Sequence, residues 1–129
     1  MSHPFDPHEG LIIVHAEIVG ISGAAILRLA LDTGATTTLI NSAMLVSIGY
    51  DPALAPDRVQ ITTGSGVEFV PRLLVKRLIA LGHEQMDFSV LGHTLPPSAG
   101  VDGLLGLDFL RGNTLRVDFK DGTITLDQE

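Results

Sequence analysis

The strongest constraint on this chain is the run Leu29-Ala30-Leu31-Asp32-Thr33-Gly34-Ala35-Thr36-Thr37-Thr38-Leu39-Ile40. An apolar segment leads straight into Asp-Thr-Gly, and a β-branched and apolar stretch follows. Flanks of this kind form strands and bury their side chains. They leave Asp32 badly placed for a plain solvated turn. A carboxylate between two buried segments must be hydrogen-bonded or paired, because a bare charge away from water is strongly destabilising. Gly34 lets backbone come close to whatever sits over the carboxylate. Thr33 supplies a hydroxyl for a network beneath it. The plainer alternative is a turn aspartate bonded to its own backbone.

The rest of the chain is mostly β. Short apolar runs alternate with turn residues, and glycine is frequent, at 14 of 129 residues. Strands are predicted over 11–19 and 24–31 around a Gly20–Gly23 turn. Thr36–Ile40 reads as a short extended piece. Asn41 is expected to cap a short helix through Ile48, with Gly49 as its stop and Met44, Leu45 and Ile48 on one face. Gly64-Ser65-Gly66 between Arg58–Thr63 and Val67–Val70 signals a hairpin. Leu73–Leu81 and Gln85–Leu91 read as two more strands around Gly82-His83. Leu107–Arg111 reads as about one helical turn, with Asp108 near its positive end. Leu115–Phe119 and Thr123–Leu126 close the chain around Asp121-Gly122. Residues 1–10 are expected to form a flexible N-terminal arm, and 11–127 a single domain.

Composition excludes several functions. The formal charge is −7, from 8 basic and 15 acidic residues, so a phosphate-binding surface is not expected and no nucleic-acid partner is assigned. There are no cysteines, which removes disulfides, zinc–thiolate sites and thiol nucleophiles. The longest apolar stretches, such as Leu11–Val14 and Ala43–Val46, fall far short of the ~18 residues of a spanning helix, so no membrane partner is expected. The first ten residues lack a signal-peptide pattern. A cytoplasmic protein is the expectation. His3, Asp6 and His8 could hold a metal in principle, but they lie in the N-terminal segment with no second cluster, and no metal or cofactor is assigned. His15, His83 and His93 read as separate surface or turn residues.

With these residues in view, the chain resembles the retropepsin-like aspartic proteases. In that family an Asp-Thr/Ser-Gly-Ala/Ser motif follows an apolar strand, as Asp32-Thr33-Gly34-Ala35 does here. A second family mark is a pair of apolar residues and Gly before a short helix, matched by Leu104-Leu105-Gly106 and Leu107-Asp108-Phe109-Leu110. The Gly64–Gly66 hairpin falls between the motifs, where the family carries its flap. The resemblance covers residues 11–127 and is greatest to the small cellular and bacterial single-domain branch. Retroviral members often pair an acidic residue after Asp-Thr-Gly-Ala with an Arg after the second Gly. Here those positions are Thr36 and Leu107, so both partners are missing together and no buried charge is stranded.

The resemblance implies a mostly β, retropepsin-like acid-protease barrel with one or two short helices. It implies Asp32, Thr33 and Gly34 as the catalytic loop, and substrate contacts from Ala35 and from Thr62, Thr63, Gly64, Ser65, Gly66 and Val67. It gives Leu104, Leu105 and Gly106 a structural role. One chain holds one Asp-Thr-Gly, whereas the chemistry needs two carboxylates sharing a proton. The resemblance therefore implies a homodimer acting on a peptide or protein substrate. Ala35 has no hydroxyl to donate to the carboxylate, so activity is expected at a less acidic pH than for a Ser-bearing relative. The alternatives are a non-catalytic dimerisation or peptide-binding module of the same fold, and an unrelated small β-barrel binding protein. Asp102 and Asp108 read as a turn residue and a helix cap. The chain ends are acidic and polar, so they are not expected to form the main dimer sheet.

Overall fold

The computed structural model describes residues 1–128, without the side chain of Thr63. Strands β2 (Ile13–Val19) and β3 (Ala24–Leu31) form an antiparallel hairpin, with Ile13 opposite Ala30 and Val19 opposite Ala24. Alternation along them sends Val14, Ala16, Ile18, Leu27 and Leu29 into the core. After the Asp32 loop come β4 (Leu39–Asn41) and helix α1 (Ser42–Ser47). The Asn41 side chain accepts the Ala43 N–H and starts the helix as expected, and Leu45 and Ile48 are buried beneath it.

The hairpin expected around Gly64–Gly66 is present: β5 (Asp57–Thr63) pairs with β6 (Gly66–Ala80). Two short strands were expected over the second arm and the stretch that follows it. They are one continuous strand of 15 residues. Pro71 does not break it, since no mainchain donor is needed at a position that pairs only at the edge with Arg58. A tight turn at Leu81-Gly82, both at positive φ, leads into β7 (His83–His93). Then follow β8 (Gly103–Leu105), helix α2 (Leu107–Leu110), β9 (Thr114–Asp118) and β10 (Thr123–Asp127).

The main sheet runs β2-β3-β8-β4-β7-β6, and β6 pairs back onto β2, so six strands close a barrel with β5 outside β6. Closure leaves β5 as the free edge of that sheet. The core inside holds Ile18, Leu27, Leu29, Ile40, Val75, Leu78, Val90, Leu105 and Phe109. Phe109 meets Phe88 edge-to-face at 5.8 Å between ring centres. Among the described residues, no helix is long and apolar enough to cross a membrane.

Two local expectations differ from the structure. Thr36–Ile40 is strand only from Leu39, because the preceding threonines wrap around the second glycine motif instead of pairing in the sheet. Residues 1–10 are not a free arm throughout. Strand β1 (Ser2–Pro4) pairs with β10, with Ser2 opposite Thr125 and Pro4 opposite Thr123. Phe5 is buried, and its ring meets Phe119 edge-to-face at 5.7 Å. The apolar anchor at Phe5 outweighs the polar character of its neighbours. With β9 these two form a second, three-stranded sheet in the order β1-β10-β9.

Candidate active site

The Asp32 loop leaves the end of β3 where that strand runs parallel to β8, with Leu31 opposite Leu105. The Asp32 N–H continues this pairing, donating to the Leu105 carbonyl at 3.0 Å. The loop then turns back on itself. The Gly34 N–H donates to Asp32 Oδ1 at 2.9 Å and the Ala35 N–H to the Asp32 carbonyl at 3.2 Å. Asp32 and Ala35 are half-buried, while Thr33 and Gly34 are exposed. The carboxylate thus has one fixed donor, the Gly34 N–H, on its Oδ1.

The support beneath the loop comes from Leu104-Leu105-Gly106 and the start of α2. The Leu107 N–H donates to the Ala35 carbonyl at 2.8 Å, and the Asp108 N–H to the Thr36 carbonyl at 3.2 Å. Gly106 permits this approach: a Cβ there would sit 2.8 Å from the Ala35 oxygen and 2.9 Å from the Thr37 carbonyl carbon. Both are backbone atoms, so nothing soft could give way.

Thr38 ties the two motifs together, and the sequence reading missed it. It is fully buried, at 0% exposure. Its N–H donates to both Asp108 carboxylate oxygens at 3.0 Å, and its hydroxyl donates to Asp108 Oδ1 at 2.7 Å. The same hydroxyl oxygen accepts the Gly106 N–H at 3.1 Å. Asp108 was expected to cap its own helix. It reaches across to Thr38 instead, and the α2 N-cap position, Gly106, has no side chain to cap with. A three-residue repeat of threonine gave no signal of which hydroxyl would be buried. The apolar Leu39-Ile40 that follows Thr38 is the clue available: the last threonine lies nearest the buried strand.

Asp102 serves the other side of the motif. Its carboxylate accepts the Arg28 N–H at 2.8 Å, its N–H donates to the Arg28 carbonyl at 2.8 Å, and its carbonyl accepts the Asn41 N–H at 2.7 Å. It brackets β3 and β4 on either side of β8. Both carboxylates thus accept hydrogen bonds that join parts of the framework, Asp102 from Arg28 and Asp108 from Thr38.

The remaining predicted contacts lie on the β5–β6 hairpin. Thr62, Gly64, Ser65, Gly66 and Val67 form its exposed tip, with Thr62 opposite Val67. The side chain of Thr63 lies outside the described residues. The hairpin's Val59, Ile61 and Val70 gather with Leu39, Leu91, Leu95 and Leu104 in a small apolar cluster apart from the barrel core. Leu104 pairs with Ala30 and Leu39, so this cluster adjoins the strands that carry the Asp32 loop. A large concavity of about 660 Å³ lies elsewhere, between the Leu81-Gly82 turn and the chain ends, and is lined by His83, Glu84, Leu126 and Asp127 among others. The His83 ring is bonded there to the Leu126 carbonyl. Among the described residues, no group of three or more His, Asp or Glu is arranged to hold a metal ion.

Comparison with known proteins agrees with this geometry. The family model described as "gag-polyprotein putative aspartyl protease" matches residues 19–112, which include both glycine motifs and the hairpin between them. A search of curated protein sequences finds no match. Among solved structures, the crystal structure of a retropepsin-like aspartic protease from Rickettsia conorii superposes with a TM-score of 0.73 at 18% identity, covering 98% of this chain and 89% of that one. At that identity the likeness speaks for the fold, and the family match for descent. The chain belongs to the gag-polyprotein aspartyl protease family and has the retropepsin-like fold.

Proposed function

We propose that the protein is an aspartic endopeptidase acting as a homodimer, with one catalytic carboxylate from Asp32 of each protomer. The observation that supports it most is the Asp32 loop. It sets a half-buried Asp32 at the end of β3, its backbone is held from beneath by Leu105 and Leu107, its carboxylate accepts the Gly34 N–H, and the exposed Thr33 and Gly34 flank it. The chain holds a single Asp-Thr-Gly, so a second carboxylate has to come from a second copy.

In this reading the two Asp32 side chains share one proton, because like charges so close cannot both persist. The ionised carboxylate takes a proton from a water molecule, whose oxygen attacks the scissile carbonyl carbon. The protonated carboxyl gives its hydrogen to the carbonyl oxygen, and a tetrahedral diol forms. Collapse of the diol breaks the C–N bond, and the amine leaves with a proton returned from the carboxyl pair. No covalent link to the enzyme forms. The Gly34 carbonyl accepts from an extended peptide, and Ala35, whose N–H and carbonyl are held by Asp32 and Leu107, meets it through its methyl group. The β5–β6 hairpin tip, Thr62–Val67, covers it and excludes water. A cytoplasmic setting belongs to this reading and is checked by cell fractionation.

The test is cleavage of a mixed peptide library by concentrated wild type and Asp32→Asn, between about pH 4 and 7, read by mass spectrometry. Cuts made only by wild type support the peptidase. Cuts by both variants alike would place the activity elsewhere. A folded wild type that makes no cuts would favour the non-catalytic module. Sedimentation velocity on the same samples tests the dimer: a monomer at every active concentration would sink the shared-proton mechanism.

A further inference from the structure

Near its tip the β5–β6 hairpin carries a charged side chain, Glu68, on the face that holds its apolar residues. Residues directly opposite on paired strands share a face. Val59 lies opposite Val70 and Ile61 opposite Glu68. Val59, Ile61 and Val70 pack toward Leu39, Leu91, Leu95 and Leu104. Glu68 therefore lies on the face turned to the strands of the Asp32 loop. It is two residues nearer the hairpin tip than Val70, or ~7 Å along the strand. This face thus carries a carboxylate beside Val59, Ile61 and Val70, while the Asp57–Arg72 pair lies on the same face at the hairpin base.

Its neighbour is His93, at the end of β7, with Nε2 3.6 Å from a Glu68 oxygen. That separation is longer than a hydrogen bond, and an imidazole is charged only when protonated. The Glu68 side chain is 48% exposed and that of His93 27%. A cation on the hairpin base, Arg72, is already bound to Asp57. Glu68 thus keeps capacity to receive a cation from outside the chain.

We infer that Glu68 is a specificity-determining residue that selects peptides with a Lys or Arg side chain close to the scissile bond. This deepens the peptidase reading of the same cleft and rests on it. An extended peptide between the Asp32 loop and the hairpin turns alternate side chains to the hairpin's inner face. The aliphatic stem of a Lys or Arg packs on Ile61, Val70 and Leu104, and its charged end meets Glu68. An acidic side chain at that position meets repulsion. The net charge of −7 favours approach of cationic peptides over anionic ones. Only one or two substrate positions respond, because intervening side chains point away.

The test uses peptides that differ only in a Lys, Glu or norleucine swept through each position around the cut. Wild type is expected to cleave the Lys peptide roughly fivefold faster than the norleucine one at a single position, the scale of a partly exposed ion pair. Glu68→Gln levels the difference, and Glu68→Lys turns it toward Glu. Equal charge preference in wild type and Glu68→Gln overturns the inference while leaving the peptidase intact. Binding of the same labelled peptides to Asp32→Asn, with and without Glu68→Gln, is read by fluorescence anisotropy. A Lys preference that depends on Glu68, in a protein that cuts nothing, keeps this site and removes the peptidase reading. No Lys preference in either protein overturns the inference independently of cleavage.

Discussion

The Asp32 loop and the β5–β6 hairpin tip, which the proposed mechanism sets on either side of a substrate, are built in opposite ways. The loop is fastened by backbone bonds to Leu105 and Leu107, by the buried Thr38 and by the Asp108 carboxylate. At the tip Thr62, Gly64, Ser65, Gly66 and Val67 are exposed, on the free edge of the sheet. A group that must hold a reacting atom in place gains from being fixed. A cover that must open for a long substrate gains from few contacts. In the proposed mechanism the two regions divide these tasks.

Four substitutions would sharpen or break that contrast. Asp32→Asn is expected to lower kcat by ~10³-fold or more with little change in unfolding midpoint, since an amide oxygen can still accept the Gly34 N–H. Retained cleavage would contradict the proposed role of the loop. Gly106→Ala comes next. Its Cβ would meet backbone at 2.8 Å, and a loss of about 2–4 kcal/mol in urea unfolding is expected. Thr38→Val keeps the volume but leaves the Gly106 N–H without its acceptor and the Asp108 carboxylate without its hydroxyl donor. We expect a cost of about 1–3 kcal/mol, with a fall in kcat that Thr38→Ser partly restores. Gly64→Ala, where a Cβ meets nothing within 4 Å, should change stability by less than about 1 kcal/mol. Its effect should show in kcat/KM. A hairpin-tip variant that destabilises the fold as much as Gly106→Ala would erase the distinction between the two regions.

Much of this was legible before the structure. The apolar strand ahead of Asp32, the hairpin around Gly64–Gly66, the Asn41 cap and the helix after Gly106 follow from local rules, because each depends on residues near in sequence. What was hidden depends on distant partners. Asp108 has the position of a helix cap, yet its partner is 70 residues away at Thr38. Ser2–Pro4 is polar and short, and only its pairing with Thr123–Thr125 makes it a strand. The long β6 reads from sequence as two strands, Val67–Val70 and Leu73–Leu81, and that a strand runs through Pro71 between them depends on which edge the proline faces.

The bond between the Asp32 N–H and the Leu105 carbonyl has a consequence for biosynthesis. Half of the loop's framework is encoded some 70 residues downstream of the carboxylate. On a ribosome, Asp32 emerges long before Leu105, Gly106 and Asp108. Closing so long a connection comes late and costs loop entropy. A nascent chain ending before β8 carries the Asp-Thr-Gly but not the clamp that shapes it. The site is assembled only after Leu105, Gly106 and Asp108 have been made.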